Sequence, residues 1–143
     1  MLLEMPHYLA HMKKKLIFIQ DTGTYSNEII VAVNSNKEEI VRFVKKLSQV
    51  KKEAVEWLQK EVEAFEVFKK HNALVAYKDG RSMLLLRKPS DGWDYWETLI
   101  HELHHLVYYI AKDKMFQGEM EAQAYLQEYL FNKIRRKIMG VEK

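Results

Sequence analysis

Trp93-Asp94-Tyr95-Trp96-Glu97-Thr98-Leu99-Ile100-His101-Glu102-Leu103-His104-His105-Leu106-Val107 carries three of the chain's six histidines. Two of them, His101 and His105, stand four residues apart. On a helix, residues at that spacing lie one above the other on the same face. Two imidazoles can then point at one metal ion, and Glu102 stands beside them where it can act on water. This is the mechanical content of an H-E-x-x-H sequence. His104 lies off the face that His101 and His105 share. It reads as a surface residue or one that supports a ligand from behind.

The motif needs a helix, and the surrounding residues supply one. Ser90 and Asp91 are good N-cap residues, and Gly92 follows in a turn-like position. Asp94 and Glu97 put negative charge in the first turn, where the helix dipole favours it. No proline or glycine follows until Gly118. Trp96, Leu99, Ile100, Leu103, Leu106, Val107 and Ile110 cover much of the circumference, as in a buried helix. The polar cluster His101, Glu102, His104 and His105 interrupts that cover. Buried polar groups must be paired, bound to metal or open to a cleft. The expectation is therefore a cleft cut into the core at this helix. The plainer alternative is a set of hydrogen-bonded histidines with no metal.

Composition sets the frame. A chain of 143 residues fits one domain, 1–143, with a real core. Hydrophobic content of 48% and charged content of 30% are those of an ordinary globular protein. No apolar run is long enough to span a membrane. The stretch from Met1 to Lys15 has too short an apolar start and the wrong order of charges for a secretory signal. A cytoplasmic protein is expected. A net charge of +3 does not call for nucleic acid as a partner. With no cysteine, a metal site must draw on histidine and carboxylate.

Working outward, the fold class reads as α+β, a small antiparallel or mixed sheet packed on helices, with the motif helix in the core. Leu16-Ile17-Phe18-Ile19-Gln20 and Glu28-Ile29-Ile30-Val31-Ala32-Val33 read as strands of a hairpin around Asp21-Thr22-Gly23-Thr24. Ser35 and Asn36 offer N-caps, strengthened by Glu38 and Glu39, for a helix carrying Ile40, Val41, Phe43, Val44 and Leu47. Glu53 to Lys70 continues at helical spacing, either as one long helix or as a second joined near Ser48 to Lys51. Ala73 to Tyr77 and Ser82 to Arg87 flank Asp79-Gly80, the strongest hairpin signal in the chain. The strand just before the motif helix could hold an extended peptide along a free edge. A last helix is expected from Glu119 to about Met139, after a break at Lys112 to Gly118. His7 and His11 repeat the four-residue spacing, but no glutamate follows His7. A surface segment is the simpler reading there.

Catalytic zinc usually takes three protein ligands and leaves one position for water. No histidine follows His105, so the third ligand should be a carboxylate. Glu119 and Glu121 are the candidates, with Glu119 slightly preferred because Ala122, Tyr125, Leu126 and Leu130 follow it on an inward face. Glu128 is a candidate partner for a ligand histidine.

His101 to His105, followed by Glu119-Met120-Glu121-Ala122-Gln123-Ala124-Tyr125, resembles the gluzincin branch of the zincin metallopeptidases. Several such families carry a Glu in the second helix, an Ala three residues on, and then an aromatic or small apolar residue. The stretch from Leu99 to Phe131 also resembles small zincin-like proteins encoded in phage and prophage genomes. The resemblance implies a zinc-dependent peptidase with a zincin-like fold, Zn2+ as cofactor and a peptide or protein as substrate. His101 and His105 would be ligands, with Glu119 or Glu121 the third, and Glu102 the general base. Tyr108, Tyr109, Tyr125 or Arg81 could stabilise a developing oxyanion. The rival expectation is a phage structural or regulatory binding protein with a non-catalytic metal site.

Overall fold

The structure is a computed structural model that describes residues 15–25, 27–47, 52–67, 72–78, 80–87 and 92–140. The His7 and His11 pair and the expected caps Ser90 and Asp91 lie outside these residues. The strands are β1 (Leu16–Asp21), β2 (Glu28–Val33), β3 (Ala73–Lys78) and β4 (Arg81–Leu86). The helices are α1 (Lys37–Lys45), α2 (Lys52–Val67), α3 (Gly92–Asp113) and α4 (Met120–Met139). The α+β class holds, as a mixed sheet with helices on both faces.

Both expected hairpins form. β1 and β2 pair antiparallel from Leu16 opposite Val33 to Asp21 opposite Glu28. Their loop is clamped by Thr22, whose hydroxyl donates to the Asn27 carbonyl and accepts the Asn27 N–H, both at 2.9 Å. β3 and β4 pair antiparallel from Ala73 opposite Leu86 to Lys78 opposite Arg81. Gly80 turns between them with φ +80°, which an L side chain rarely adopts.

The sheet order is β1-β2-β4-β3, and β2 runs parallel to β4. A parallel pair needs a crossover, and α1, α2 and β3 intervene in the chain between β2 and β4. This order corrects one expectation. The strand preceding the motif helix, β4, lies inside the sheet, and the edges among the described residues belong to β1 and β3. The physical reason is the pairing of β4 with β2, from Ile29 opposite Ser82 to Val33 opposite Leu86, which takes up the side of β4 away from β3.

The two central strands are apolar on both faces, because helices cover both. Ile29, Val31, Val33, Leu84 and Leu86 join one buried cluster with Leu99, Leu103, Leu106 and Ile110 of α3 and Leu126, Leu130, Ile134 and Ile138 of α4. Ala32, Met83 and Leu85 point the other way, onto Ile40 and Val44 of α1 and Leu58, Val62 and Phe65 of α2. The alternation along β2 and β4 thus assigns one helix pair to each face.

The helix between Asn34 and Lys70 resolves into two. α1 opens on a capping box in which Glu39 N–H donates to Asn36 Oδ1 at 2.9 Å and Asn36 N–H donates to Glu39 Oε1 at 3.0 Å. Lys37, at its start, pairs with Glu63 near the end of α2, with Nζ to Oε1 at 2.6 Å, so the two helices run antiparallel. On the opposite face, α4 is tied to β1. Tyr129 O–H donates to Asp21 Oδ1, which also accepts the Gly23 N–H. These two donors hold the Asp21 carboxyl below the usual carboxylate range. Among the described residues no helix is long and apolar enough to cross a membrane.

α3 ends where the sequence breaks, but without glycine. Phe116 N–H donates to the Ala111 carbonyl at 2.8 Å and Met115 N–H to Lys112 at 3.4 Å, the crossed pair of a Schellman motif. Met115 takes the left-handed position at φ 64°. Buried Phe116 then starts the path to α4. An L residue in that conformation costs roughly 1–2 kcal/mol, against about 0.5–1 kcal/mol of extra chain entropy for glycine. Met115 is 86% exposed and loses no core contact when shortened. Met115→Gly should therefore raise the unfolding free energy by about 0.5–1 kcal/mol, read from the urea midpoint. A lowered midpoint would show that the left-handed turn is not strained.

Candidate metal centre

The helical period of α3 separates two kinds of residue. Tyr95, Leu99, Leu103, Leu106, Ile110 and Ala111 face the sheet and are buried. His101, His104, His105, Tyr108 and Tyr109 face outward and are exposed. The expected cleft in the core is corrected here. The histidines stand on the outer surface of a half-buried helix. The apolar residues that suggested full burial include Ile100, which is 46% exposed on that same outer side.

His101 and His105 do converge. Their Nε2 atoms are 3.2 Å apart, a separation at which one ring donates an N–H to the other. The rings meet edge to face, with centroids at 4.8 Å and an interplanar angle of 79°. Two imidazole nitrogens on a tetrahedral zinc, each at about 2.0–2.1 Å, are about 3.3 Å apart. The donor chemistry and the separation both fit that ion. His104 keeps its ring 6.3 Å from that of His105, outside such an arrangement.

Glu102 is half-buried, unlike the exposed histidines on either side of it. It shares a helix stripe with Tyr109, two turns on. Tyr109 stacks on Tyr77 of β3, with ring centroids at 5.6 Å and an interplanar angle of 16°. The stripe carrying Glu102 is therefore the one on the β3 side of the sheet. Of the four residues considered for an oxyanion, Tyr109 has this fixed neighbour. Tyr108 and Tyr125 are exposed, and Arg81 sits at the start of β4 opposite Lys78.

The downstream carboxylates do not join the pair in a metal-holding group among the described residues. Glu119 is the N-cap residue of α4, exposed and making no side-chain cap hydrogen bond. The inward orientation expected for it is corrected. Leu126 and Leu130 are buried as read, but Glu119 precedes the helix and Tyr125 is 68% exposed. Glu121 lies in the first turn and is also exposed. Glu128 lines a depression along α4 with Tyr125, Tyr129, Asn132, Lys133 and Arg136. What α4 offers α3 near the motif is Gln127, whose Nε2 donates to the Ile100 carbonyl at 3.4 Å, and Phe131, edge to face with Trp96 at 6.3 Å. Among the described residues, no group of three His, Cys, Asp or Glu side chains gathers as a metal site.

One residue beside the site escaped the sequence reading. Tyr77 lies on β3, on the face toward α3, and burial pushes its hydroxyl up to about 12, with the Asp113 carboxylate adding to the effect. The available signal was an aromatic residue two places before the Asp-Gly turn, on the same strand face as Val75 and Ala73.

No family model matches the chain, and no curated protein or solved structure matches it either.

The raised Tyr77 value has a pH consequence. An ordinary tyrosine titrates near 10.0, and the folded chain keeps this proton to about 12. The stability that Tyr77 contributes is thus complete below pH 10 and is lost as pH rises toward 12. Thermal unfolding between pH 9 and 11.5 should lose stability more steeply in the wild type than in Tyr77→Phe. Equal slopes would show that Tyr77 titrates as it would in water.

Proposed function

We propose that this chain is a zinc-dependent peptidase. The observation that carries the reading is the pair of Nε2 atoms 3.2 Å apart on adjacent turns of α3, with Glu102 as the next residue after His101. His101 and His105 would hold the ion. When bound, zinc supplies a Lewis acid that polarises a carbonyl and makes water a competent nucleophile at neutral pH.

The chain's own residues do the rest. The Glu102 carboxylate accepts a proton from water and delivers it to the leaving amine nitrogen. Glu102 suits this role better than ligation, because its stripe diverges from the one the two histidines share. A substrate backbone can add to the free edge of β3, whose N–H and C=O groups on that side have no neighbouring strand among the described residues. The Tyr77–Tyr109 stack joins that edge to the catalytic stripe. An extended peptide held there runs past Glu102.

A second reading is favoured by a specific observation. The histidines are exposed, and no third ligand of the usual kinds gathers with them among the described residues. A binding protein with a non-catalytic metal site, of the phage structural or regulatory kind, fits that observation.

Glu102→Gln separates the two readings. Zinc binding and the circular dichroism spectrum should be unchanged, while cleavage of an unstructured peptide library falls by about 10²- to 10⁴-fold. His104→Ala should keep both properties. Loss of zinc in Glu102→Gln would make Glu102 a ligand. A zinc-loaded wild type that cleaves nothing in the library would put the binding-protein reading in place of the peptidase.

A further inference from the structure

We propose that the depression along α4 binds a nucleoside monophosphate, with the base on the Tyr125 and Tyr129 rings and the phosphate on Lys133 and Arg136. None of these residues belongs to the histidine site, and the inference goes beyond the peptidase reading.

The order of side chains along the helix is the first observation. The depression has a volume of about 290 Å³ and is lined by Tyr125, Glu128, Tyr129, Asn132, Lys133 and Arg136. These residues recur at spacings of three and four, so they share one stripe. The rings and the carboxylate occupy its first half, and the nitrogen donors its second. Tyr129 and Lys133 are one turn apart, about 6 Å along the axis, and Tyr129 and Arg136 two turns, about 10 Å. A base joined to a phosphate through a ribose covers that interval.

The second observation is charge that the fold leaves uncompensated. Neither Lys133 nor Arg136 makes a salt bridge among the described residues. The Asp21 carboxylate, which feels the Lys133 charge, already accepts from the Tyr129 O–H and the Gly23 N–H. An arginine fork matches two phosphate oxygens, and a lysine adds a point charge beside it.

The rings, thirdly, are placed to stack. Tyr129 is held by its hydrogen bond to Asp21, and Lys133 Nζ stands 5.9 Å from the centre of its ring. Aromatic surface and cation thus lie side by side. Tyr125, one turn earlier, is 68% exposed. Every base has a face that such a ring can cover.

Glu128 selects among anions. It is exposed and lies in the same stripe, between the two tyrosines in sequence. An acidic peptide or a nucleic-acid strand would set negative charge along the whole stripe and be repelled there. A mononucleotide puts its charge at the Arg136 end alone, and its ribose hydroxyls can donate to the carboxylate.

Calorimetric titration of the full chain in a metal chelator tests the proposal, with adenosine 5′-monophosphate as the probe and adenosine and inorganic phosphate as controls. The expected result is saturable binding of one monophosphate per chain, with each control weaker by about 10-fold or more. Arg136→Gln should weaken the monophosphate by about 10-fold and leave adenosine unchanged. Tyr125→Ala should weaken the monophosphate and adenosine alike, by about 10-fold. Glu128→Gln should weaken the monophosphate yet strengthen inorganic phosphate, opposite changes that a damaged fold cannot produce. No binding of the monophosphate would overturn the proposal, as would binding untouched by Arg136→Gln and Tyr125→Ala. Inorganic phosphate bound as tightly as the monophosphate would also overturn it, leaving an anion site without a base. An oligonucleotide bound where the monophosphate is not would replace the ligand with a strand. These outcomes are read without zinc, so they leave the peptidase reading to its own test.

Discussion

α3 has to satisfy two demands with one 3.6-residue period. It must give the sheet an apolar face, and it must carry three histidines and a glutamate within five residues. The period allows both because the two sets fall on opposite sides. Leu99, Leu103, Leu106 and Ile110 are completely buried. Burial of each such side chain contributes roughly 1.5–3 kcal/mol. That packing fixes the rotation of the helix about its own axis, and the rotation decides where His101 and His105 point. The two imidazoles are thus oriented by leucines on the far side of the helix, and the four-residue spacing does the rest.

The remainder of the fold supports this arrangement. The sheet is apolar on both faces because α1 and α2 cover the side away from α3. α4 lies alongside α3 and is held to β1 by the Tyr129–Asp21 hydrogen bond. β3 meets α3 through the Tyr77–Tyr109 stack. A site on a helix packed in this way has less freedom than one on a loop. The histidine pair needs no loop to close before its nitrogens stand 3.2 Å apart. Its surroundings are open, however, and the helix presents its aromatic residues to solvent next to the pair.

Much of this was legible in the residues, for identifiable reasons. The turn at Gly80, the start of α1 with Asn36 rather than Ser35 as its cap, and the end of α3 at Asp113 rest on local signals. The strands at β2 and β4 were legible as strands, but their burial on both faces was not, and β1, whose β-branched and aromatic run suits a buried strand, is mostly half-buried at the edge of the sheet. What failed required knowledge of neighbours. A helix with Ile100 and several aromatic residues looks apolar nearly all round, yet only one side meets the sheet. β3 rather than β4 is an edge strand because β4 inserts between β3 and β2, and strand order is not written in hairpin signals. Glu119 has a buried face following it in sequence, but it precedes the first turn of α4 and points to solvent. The histidine pair itself was legible because its geometry is set within a single helix.

The central claim is that His101 and His105 form a chelating pair as folded. The most direct measurement is a zinc titration of metal-free protein against a chromophoric competing chelator, with wild type and His105→Ala side by side. The account predicts saturable binding by the wild type and its loss in His105→Ala, with both proteins equally folded by circular dichroism. Equal zinc binding by the two proteins, or none by either, would contradict it.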